Sequence, residues 1–311
     1  MAHVRADASG EPSVVVLGAT ASGKSDVAMA AARASSTPVH IVAADAMQVY
    51  RGMDIGTAKP TADDRCLVPH HCLDTADAWE RHTVSMWHDS LATARHEIAA
   101  AGARAILVGG TGLYVTAAVD GLDLPGEWPQ VRAEIESDHD TASLHRRLTE
   151  LDPEAAARME PSNRRRIVRA LEVCIGSGQP FSSFGSGVAA FPPTDTVLIG
   201  IRWDRDALRR RIAVRVDSML ERGLVDEVRR LVESPQGLSA TARQALGYKE
   251  IIEHLEGRCT VAEAIDAVVV RTGQFAVRQE RWYRRDPRIR WIDVTGDPVD
   301  EIAPVVSAAL A

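Results

Sequence analysis

Eight residues, Gly18, Ala19, Thr20, Ala21, Ser22, Gly23, Lys24 and Ser25, fit the spacing G-x-x-x-x-G-K-S. That spacing makes an anion cradle. The glycines let the backbone bend so that several N–H groups point inward, and the start of the following helix adds partial positive charge. Lys24 supplies a full charge, and the Ser25 hydroxyl is placed to ligate Mg²⁺. The bland reading is a chance glycine-rich turn. Context argues against it, because the apolar run SVVVLG (13–18) reads as a strand and SDVAMAAARA (25–34) as a helix. The cradle specifies a polyphosphate and leaves open which one, since kinases, ATPases and other diphosphate users share it.

A carboxylate follows at the end of the second strand-like run, VHIVAAD (39–45). Ligands of open α/β sheets bind at that edge, so Asp45 belongs beside the cradle. Three roles are open: holding Mg²⁺ through water, acting as a general base, or capping a turn. The polar stretch after it carries Gln48, Tyr50, Arg51, Gly52, Thr57 and Lys59, and a loop of that length usually has a function. VGGTGLY (108–114) is another glycine-bearing strand end. Its Thr111 is placed to donate to a leaving oxygen, to cap a helix, or to do both. His70 and His71 are adjacent and cannot share a helix face, so structural hydrogen bonding is the better reading than a metal pair. The chain has three lysines, Lys24, Lys59 and Lys249, against a large excess of arginine, which singles them out as positions that need an ammonium.

These residues need elements to hold them. Strand-like RAILVGG (104–110) follows a helical segment over 82–102, and strand–helix–strand alternation predicts a parallel sheet covered by helices. Residues 122–193 contain no convincing strand and read as a helical insertion. The strand TDTVLIGIRW (194–203) rejoins the sheet, and helices then lead to RIRWIDV (288–294) and a last helix over 298–310. The fold class expected is α/β: a P-loop parallel-sheet core over 13–121 and 194–311, helical toward its C-terminal end, with the helical insertion between. Residues 1–12 read as a loose leader with no apolar signal-peptide core.

Composition narrows the function. At 311 residues, 45% hydrophobic and 25% charged, the chain is ordinary globular protein, which excludes a fibre or a disordered tail. The net charge of 36 − 43 = −7 excludes a wholly basic nucleic-acid coat. Cys66, Cys72, Cys174 and Cys259 contain no C-x-x-C pair, which argues against a zinc module and a disulfide scaffold and suits a reducing cytoplasm. No apolar run is long enough to span a membrane. Within this acidic chain, residues 271–290 carry seven arginines with Trp282 and Tyr283 interleaved, and 204–216 and 163–169 are also arginine-rich. Arginine beside aromatic rings suits splayed RNA bases, and a solvated helix face is the plain alternative.

The segments GATASGKS, DAMQVYRGMDIGTAKP, PHHCLD, VGGTGLY, RRIVRALEV, QALGYKE and AVRQERWYRR occur in the order found in tRNA dimethylallyltransferases, and the chain resembles that family from about residue 13 to 285. The resemblance implies transfer of a dimethylallyl group from dimethylallyl diphosphate to N6 of the adenosine 3′ of the anticodon in tRNA, with Mg²⁺. It implies that the loop from Gly18 to Ser25, with Arg215, holds the diphosphate. Asp45 becomes the base on the adenine amine and Thr111 the residue at the bridging oxygen. Asp45, Ala46, Met47 and Gln48 line the path of the target nucleotide. Thr111, Arg132, Gln244, Gly247, Tyr248, Lys249, Arg278 and Gln279 are assigned to tRNA, and the insertion to clasping the anticodon stem-loop. A cytoplasmic monomer is expected. Ala19, Ala46, Asn163 and Val277 depart from the usual Pro, Ser, Asp and Lys. The rival readings are a nucleotide kinase, prenylation of free adenine nucleotide and a non-catalytic RNA binder.

Overall fold

The computed structural model describes residues 11–185 and 187–311, so most of the expected leader lies outside the described residues. Pro12, expected just ahead of the first strand, opens it instead, since a first strand residue loses little by lacking an N–H. The strands are β1 (Pro12–Gly18), β2 (Val39–Ala44), β3 (His70–His71), β4 (Arg104–Gly109), β5 (Val197–Trp203) and β6 (Arg290–Val294). They form one parallel sheet in the order β3-β2-β4-β1-β5-β6. The helices are α1 (Lys24–Ala34), α2 (Ala62–Leu67), α3 (Val84–Ala100), α4 (Gly112–Asp120), α5 (Pro129–Ser137), α6 (Thr141–Leu151), α7 (Pro153–Ala157), α8 (Arg164–Ser177), α9 (Arg205–Glu221), α10 (Leu224–Val232), α11 (Tyr248–Leu255), α12 (Val261–Tyr283) and α13 (Pro298–Leu310).

The central strands are continuous apolar runs because both sheet faces are covered. Alternation along β1 sends Val14 and Val16, with Ile106 and Ile199, into a core closed by α1 and α13. It sends Val15 and Leu17, with Val42 and Leu107, to the opposite face. There Trp87 and Leu91 of α3, Tyr114 of α4 and Ile251 of α11 cover them. Trp87 also donates its indole N–H to Ala43 O at 3.0 Å, which pins α3 to β2 two residues before Asp45.

Two local differences from the sequence expectation have simple causes. The helix expected over 82–102 is two residues shorter at each end, because the Thr83 hydroxyl caps it by accepting from Met86 N. His70 and His71 form a short edge strand beside Ile41 and Val42. Their imidazoles are used structurally: His70 Nδ1 donates to Val68 O at 2.7 Å, and His71 Nε2 lies 2.9 Å from His40 Nδ1.

The chain divides into two compact units, one of Gly121–Ala190 and the other of the remaining residues. The smaller unit holds α5 to α8 around Leu144, Leu148, Ile167 and Leu171. The buried Glu172 accepts from Trp128 N and Arg132 Nη1. Asn163 caps α8 by accepting from Arg166 N, so the Asn in place of Asp keeps the helix start. Residues 191–193, expected in the insertion, go with the sheet unit. Arg288 draws them there, with its guanidinium over the Phe191 ring and donating to Pro192 O at 2.6 Å. The same side chain pairs with Asp120 at 2.7 Å.

Candidate active site

The cradle closes β1. Gly18 has φ 149°, and a Cβ there would lie 2.7 Å from Ile201 O, so glycine is required. Ala21 and Gly23 take left-handed φ values of 62° and 93°, the alternation that turns successive amides inward. Lys24 Nζ donates to Ala19 O at 2.7 Å, folding its side chain back across the loop. From outside, Trp203 Nε1 donates to Ser22 O, and Arg211 Nε donates to Ala21 O while stacking on Trp203. The Ser22 hydroxyl is buried without a hydrogen-bond partner among the described residues. Burial, helped by Arg215, pushes the Lys24 ammonium down to about 7, and Asp45 opposes them. Arg215 is also lowered by burial, against the attraction of Asp45 and Asp26. Two desolvated cations side by side make a site that gains from an anion.

Asp45 stands one residue past β2. Its Oδ1 accepts from Met47 N at 2.8 Å and Gln48 N at 3.3 Å, so the carboxylate caps the turn. Its Oδ2 accepts no hydrogen bond among the described residues. Thr111 stands two residues past β4. Its Oγ1 accepts from Ala46 N at 3.1 Å, which leaves the hydroxyl proton free to be donated. The hydroxyl therefore does not cap α4, one of the two roles its position suggested.

Two connected chambers meet at Asp45, and Thr111 lines the second of them. One, of about 790 Å³, is polar and lined by Lys24, Ser25, Asp26, Arg210, Arg211 and Arg222. The other, of about 590 Å³, is lined by Ala46, Met47, Thr111, Gly112 and an apolar wall. Ile212, Val216 and Met219 of α9 and Val268 and Phe275 of α12 form that wall, with Ile212, Val216 and Val268 in one core cluster. Thr20, Asp45, Thr57, Gly110, Arg215, Phe275 and Gln279 line both chambers. The waist between them therefore carries a carboxylate on one side and a guanidinium among its other walls.

The other expected contacts divide. Gln244 and Arg278 are exposed and line the apolar chamber, and Gly247 lines it too. Gln48 lines the polar chamber and ties the loop through Nε2 to Thr57 O at 3.1 Å. Tyr248 points inward instead: it is fully buried and donates to Glu227 at 2.6 Å, so it shapes a wall rather than offering a surface contact. Gln279 is buried as well, with its amide held at both ends. Lys249 lines neither chamber. Arg132 belongs to the helical unit, where Glu136 and Glu172 take its guanidinium.

Sequence reasoning missed Glu227. It is 2% exposed and accepts from Asp54 N, Ile55 N and Gly56 N besides Tyr248. The signal was present: Glu227 sits between Leu224 and Val228 on the apolar stripe of α10, where a carboxylate must have partners. Lys59 is the other buried charge. Its ammonium contacts Asp54 and Asp74 at 2.6 Å and Tyr50 O at 2.7 Å, which is the ammonium site its rarity suggested.

A parallel sheet with an anion loop at the carboxyl end of its central strand defines a P-loop-like α/β protein. The chain matches the family model described as IPP transferase over residues 48–286, and one described as Isopentenyl transferase over 13–67. It is 47% identical to the tRNA dimethylallyltransferase of Pseudarthrobacter chlorophenolicus over 285 residues, 91% of this chain and 93% of that protein. It is 46% identical to the tRNA dimethylallyltransferase of Thermobifida fusca over 286 residues, 90% and 89% of the two chains. The crystal structure of a tRNA isopentenylpyrophosphate transferase from Bacillus halodurans superposes with a TM-score of 0.68 at 36% identity, covering 96% of each chain. The chain belongs to the IPP transferase family.

Proposed function

We propose that this enzyme transfers a dimethylallyl group from dimethylallyl diphosphate to N6 of the adenosine 3′ of the anticodon in tRNA, releasing diphosphate. The observation that carries the site assignment is the waist: Asp45 stands between a cation-lined chamber and an apolar one, and Thr111, linked to its turn through Ala46, lines the apolar side. Such a waist suits a reaction that joins an allylic diphosphate arriving from one side to a base arriving from the other.

An adenine N6 amine is a weak nucleophile, because its lone pair is delocalised into the ring. An allylic C–O bond breaks readily once the leaving charge is held. Amides of the Gly18–Ser25 loop, Lys24 and Arg215 hold it, and Thr111 donates to the bridging oxygen. The C1–O bond breaks as the N6–C1 bond forms, and the N6 proton passes to Asp45 Oδ2. The apolar wall keeps water from the allylic carbon. The target base leaves its stack to reach this depth.

Ser25, Asp26 and Asp45 give the polar chamber hard oxygen donors, which fits Mg²⁺, an ion that completes its shell with water and substrate phosphate. When bound, the ion supplies further neutralisation of the departing diphosphate. Exposed Arg278 and Gln244, and the helical unit, supply the candidate tRNA surface. Four free thiols support a reducing, cytoplasmic setting.

The test is mass spectrometry of tRNA nucleosides after incubation with dimethylallyl diphosphate and Mg²⁺. A dimethylallyl mass increment on adenosine is expected. Transfer to free AMP in preference to tRNA, or ATP-dependent phosphorylation of a nucleotide, would overturn the assignment.

A further inference from the structure

The sheet ladder stops short of the site. The last β1–β4 pair is Leu17 with Gly109, and the last β2–β4 pair is Ala44 with Gly109. Beyond these pairs one backbone bond remains on the β2 side, Thr111 N donating to Ala44 O at 3.3 Å, while on the β1 side no backbone bond among the described residues joins the anion loop to the loop bearing Thr111. Two side chains continue the ladder. Thr111 Oγ1 accepts from Ala46 N on the β2 side. On the β1 side, Gln279 Oε1 accepts from Thr20 N at 2.8 Å, and its Nε2 donates to Gly110 O at 2.8 Å.

Gln279 comes from α12 and is 6% exposed. The fit is close: a Cβ on Gly110 would lie 2.4 Å from Nε2. Its neighbours on the same helix grip the same turn. Tyr283 donates to Gly109 O, and Trp282 covers Gly112 so closely that a Cβ there would fall 2.3 Å from the ring. One planar amide thus joins the anion loop to the loop bearing Thr111, and through Thr111 and Ala46 to Asp45.

We propose that Gln279 is a positioning residue for the transfer reaction. It sets the distance from the diphosphate cradle to the Thr111–Asp45 pair, and it does so without touching tRNA, despite lying in the arginine-rich AVRQERWYRR segment. It also engages the amide proton of Thr20, so the diphosphate relies on the later amides of the loop. This role rests on the prenyl-transfer reading.

The full chain is tested with a tRNA transcript and dimethylallyl diphosphate. Gln279→Ala and the volume-keeping Gln279→Met are compared with wild type. Misplacing reacting groups by about 1 Å costs on the order of 100-fold in rate, so the saturated rate falls by about that much. Affinities for tRNA and for inorganic diphosphate stay within about threefold. The double variant Gln279→Ala/Thr111→Ala is no slower than Thr111→Ala by more than about threefold, because both cut one connection. Gln279→Glu adds a pH signature. Its carboxylate opposes Gly110 O, so its rate relative to wild type rises as the pH falls toward about 5.5, where a protonated carboxyl donates again. Weakened tRNA affinity with an unchanged saturated rate, or losses that multiply in the double variant, would overturn the proposal. So would an undiminished rate in Gln279→Met. A wild-type chain that transfers nothing overturns the reaction itself and is told apart by that control.

Discussion

Thr111 Oγ1 and Ala46 N are 3.1 Å apart, and that one hydrogen bond joins the loop after β4 to the loop after β2. It leaves the threonine proton free to be donated and holds the turn that Asp45 caps. A backbone bond from Thr111 N to Ala44 O at 3.3 Å reinforces it, so the two groups that the proposed chemistry needs are set by neighbouring contacts.

Asp45→Asn keeps the turn cap through the amide oxygen and removes the base. The saturated rate is expected to fall by about 100- to 10,000-fold, the usual worth of a general base, with tRNA affinity little changed. Thr111→Val removes the donor and is expected to cost about 100- to 1,000-fold. Single-turnover transfer and tRNA binding on the same preparations check both. Near-normal rates in Asp45→Asn would reject the base.

Lys24 makes diphosphate binding depend on pH. Its ammonium is held at about 7 rather than 10.5, so the unliganded chain has largely lost that proton above pH 7. A bound diphosphate favours the cation, so binding at pH 8 takes up a proton. Affinity then falls by up to about tenfold per pH unit between pH 8 and pH 9. Calorimetry in two buffers of different ionisation enthalpy measures the uptake, and zero uptake would contradict the shift. For the unliganded fold the sign is opposite. Between about 7 and 10.5 the unfolded chain holds the proton that the folded chain has released, so stability rises with pH from this group.

Glu227 gathers three backbone N–H groups and the Tyr248 hydroxyl. Glu227→Ala leaves those donors buried without a partner and is expected to lower stability by about 3–5 kcal/mol. Tyr248→Phe removes one bond and is expected to cost about 1–3 kcal/mol. Because Gly56, Thr57 and Gly247 line the apolar chamber, the milder variant is expected to raise KM for tRNA more than KM for the diphosphate. Urea unfolding and steady-state kinetics give the two numbers.

Lys59 holds Asp54 and Asp74 together with its side chain 1% exposed. Lys59→Met removes the donor to Tyr50 O and one partner of each carboxylate, but Asp54 is more than half exposed and Asp74 keeps Arg65, so it is expected to cost about 1–3 kcal/mol. Asp74 links the cluster to pH. Burial alone would raise it, but hydrogen bonds from Lys59 and Arg65 hold it below the usual 3.8. Its contribution is present above 3.8 and is lost as the pH falls through the lower folded value. Acid unfolding of Lys59→Met is expected to show that step reduced, with the remainder carried by Arg65.

The anion loop, the parallel core and the helical insertion were legible because each is a local pattern. A glycine spacing between a strand and a helix carries its own geometry, and continuous β-branched runs such as SVVVLG report burial on both faces. Asp45 and Thr111 were legible for a related reason, since strand ends in a parallel sheet share one edge. The resemblance assigned Tyr248 and Gln279 to tRNA, and the structure buries both side chains. Burial of that kind is hard to read from sequence, because which helix face turns inward depends on partners far along the chain. Glu227 lies 173 residues from Asp54, and Gln279 lies 259 from Thr20.

The sequence by itself determined the strands, the cradle and the residue types able to do the chemistry, because short-range sterics and hydrophobic periodicity act within a dozen residues. Only the tertiary structure decided that Gln279 bridges two loops, that Glu227 organises a third, and that Arg215 and Asp45 share one waist. Those are long-range hydrogen bonds and desolvated charges, and their energies exist only once the sheet and α9, α10 and α12 have closed water out.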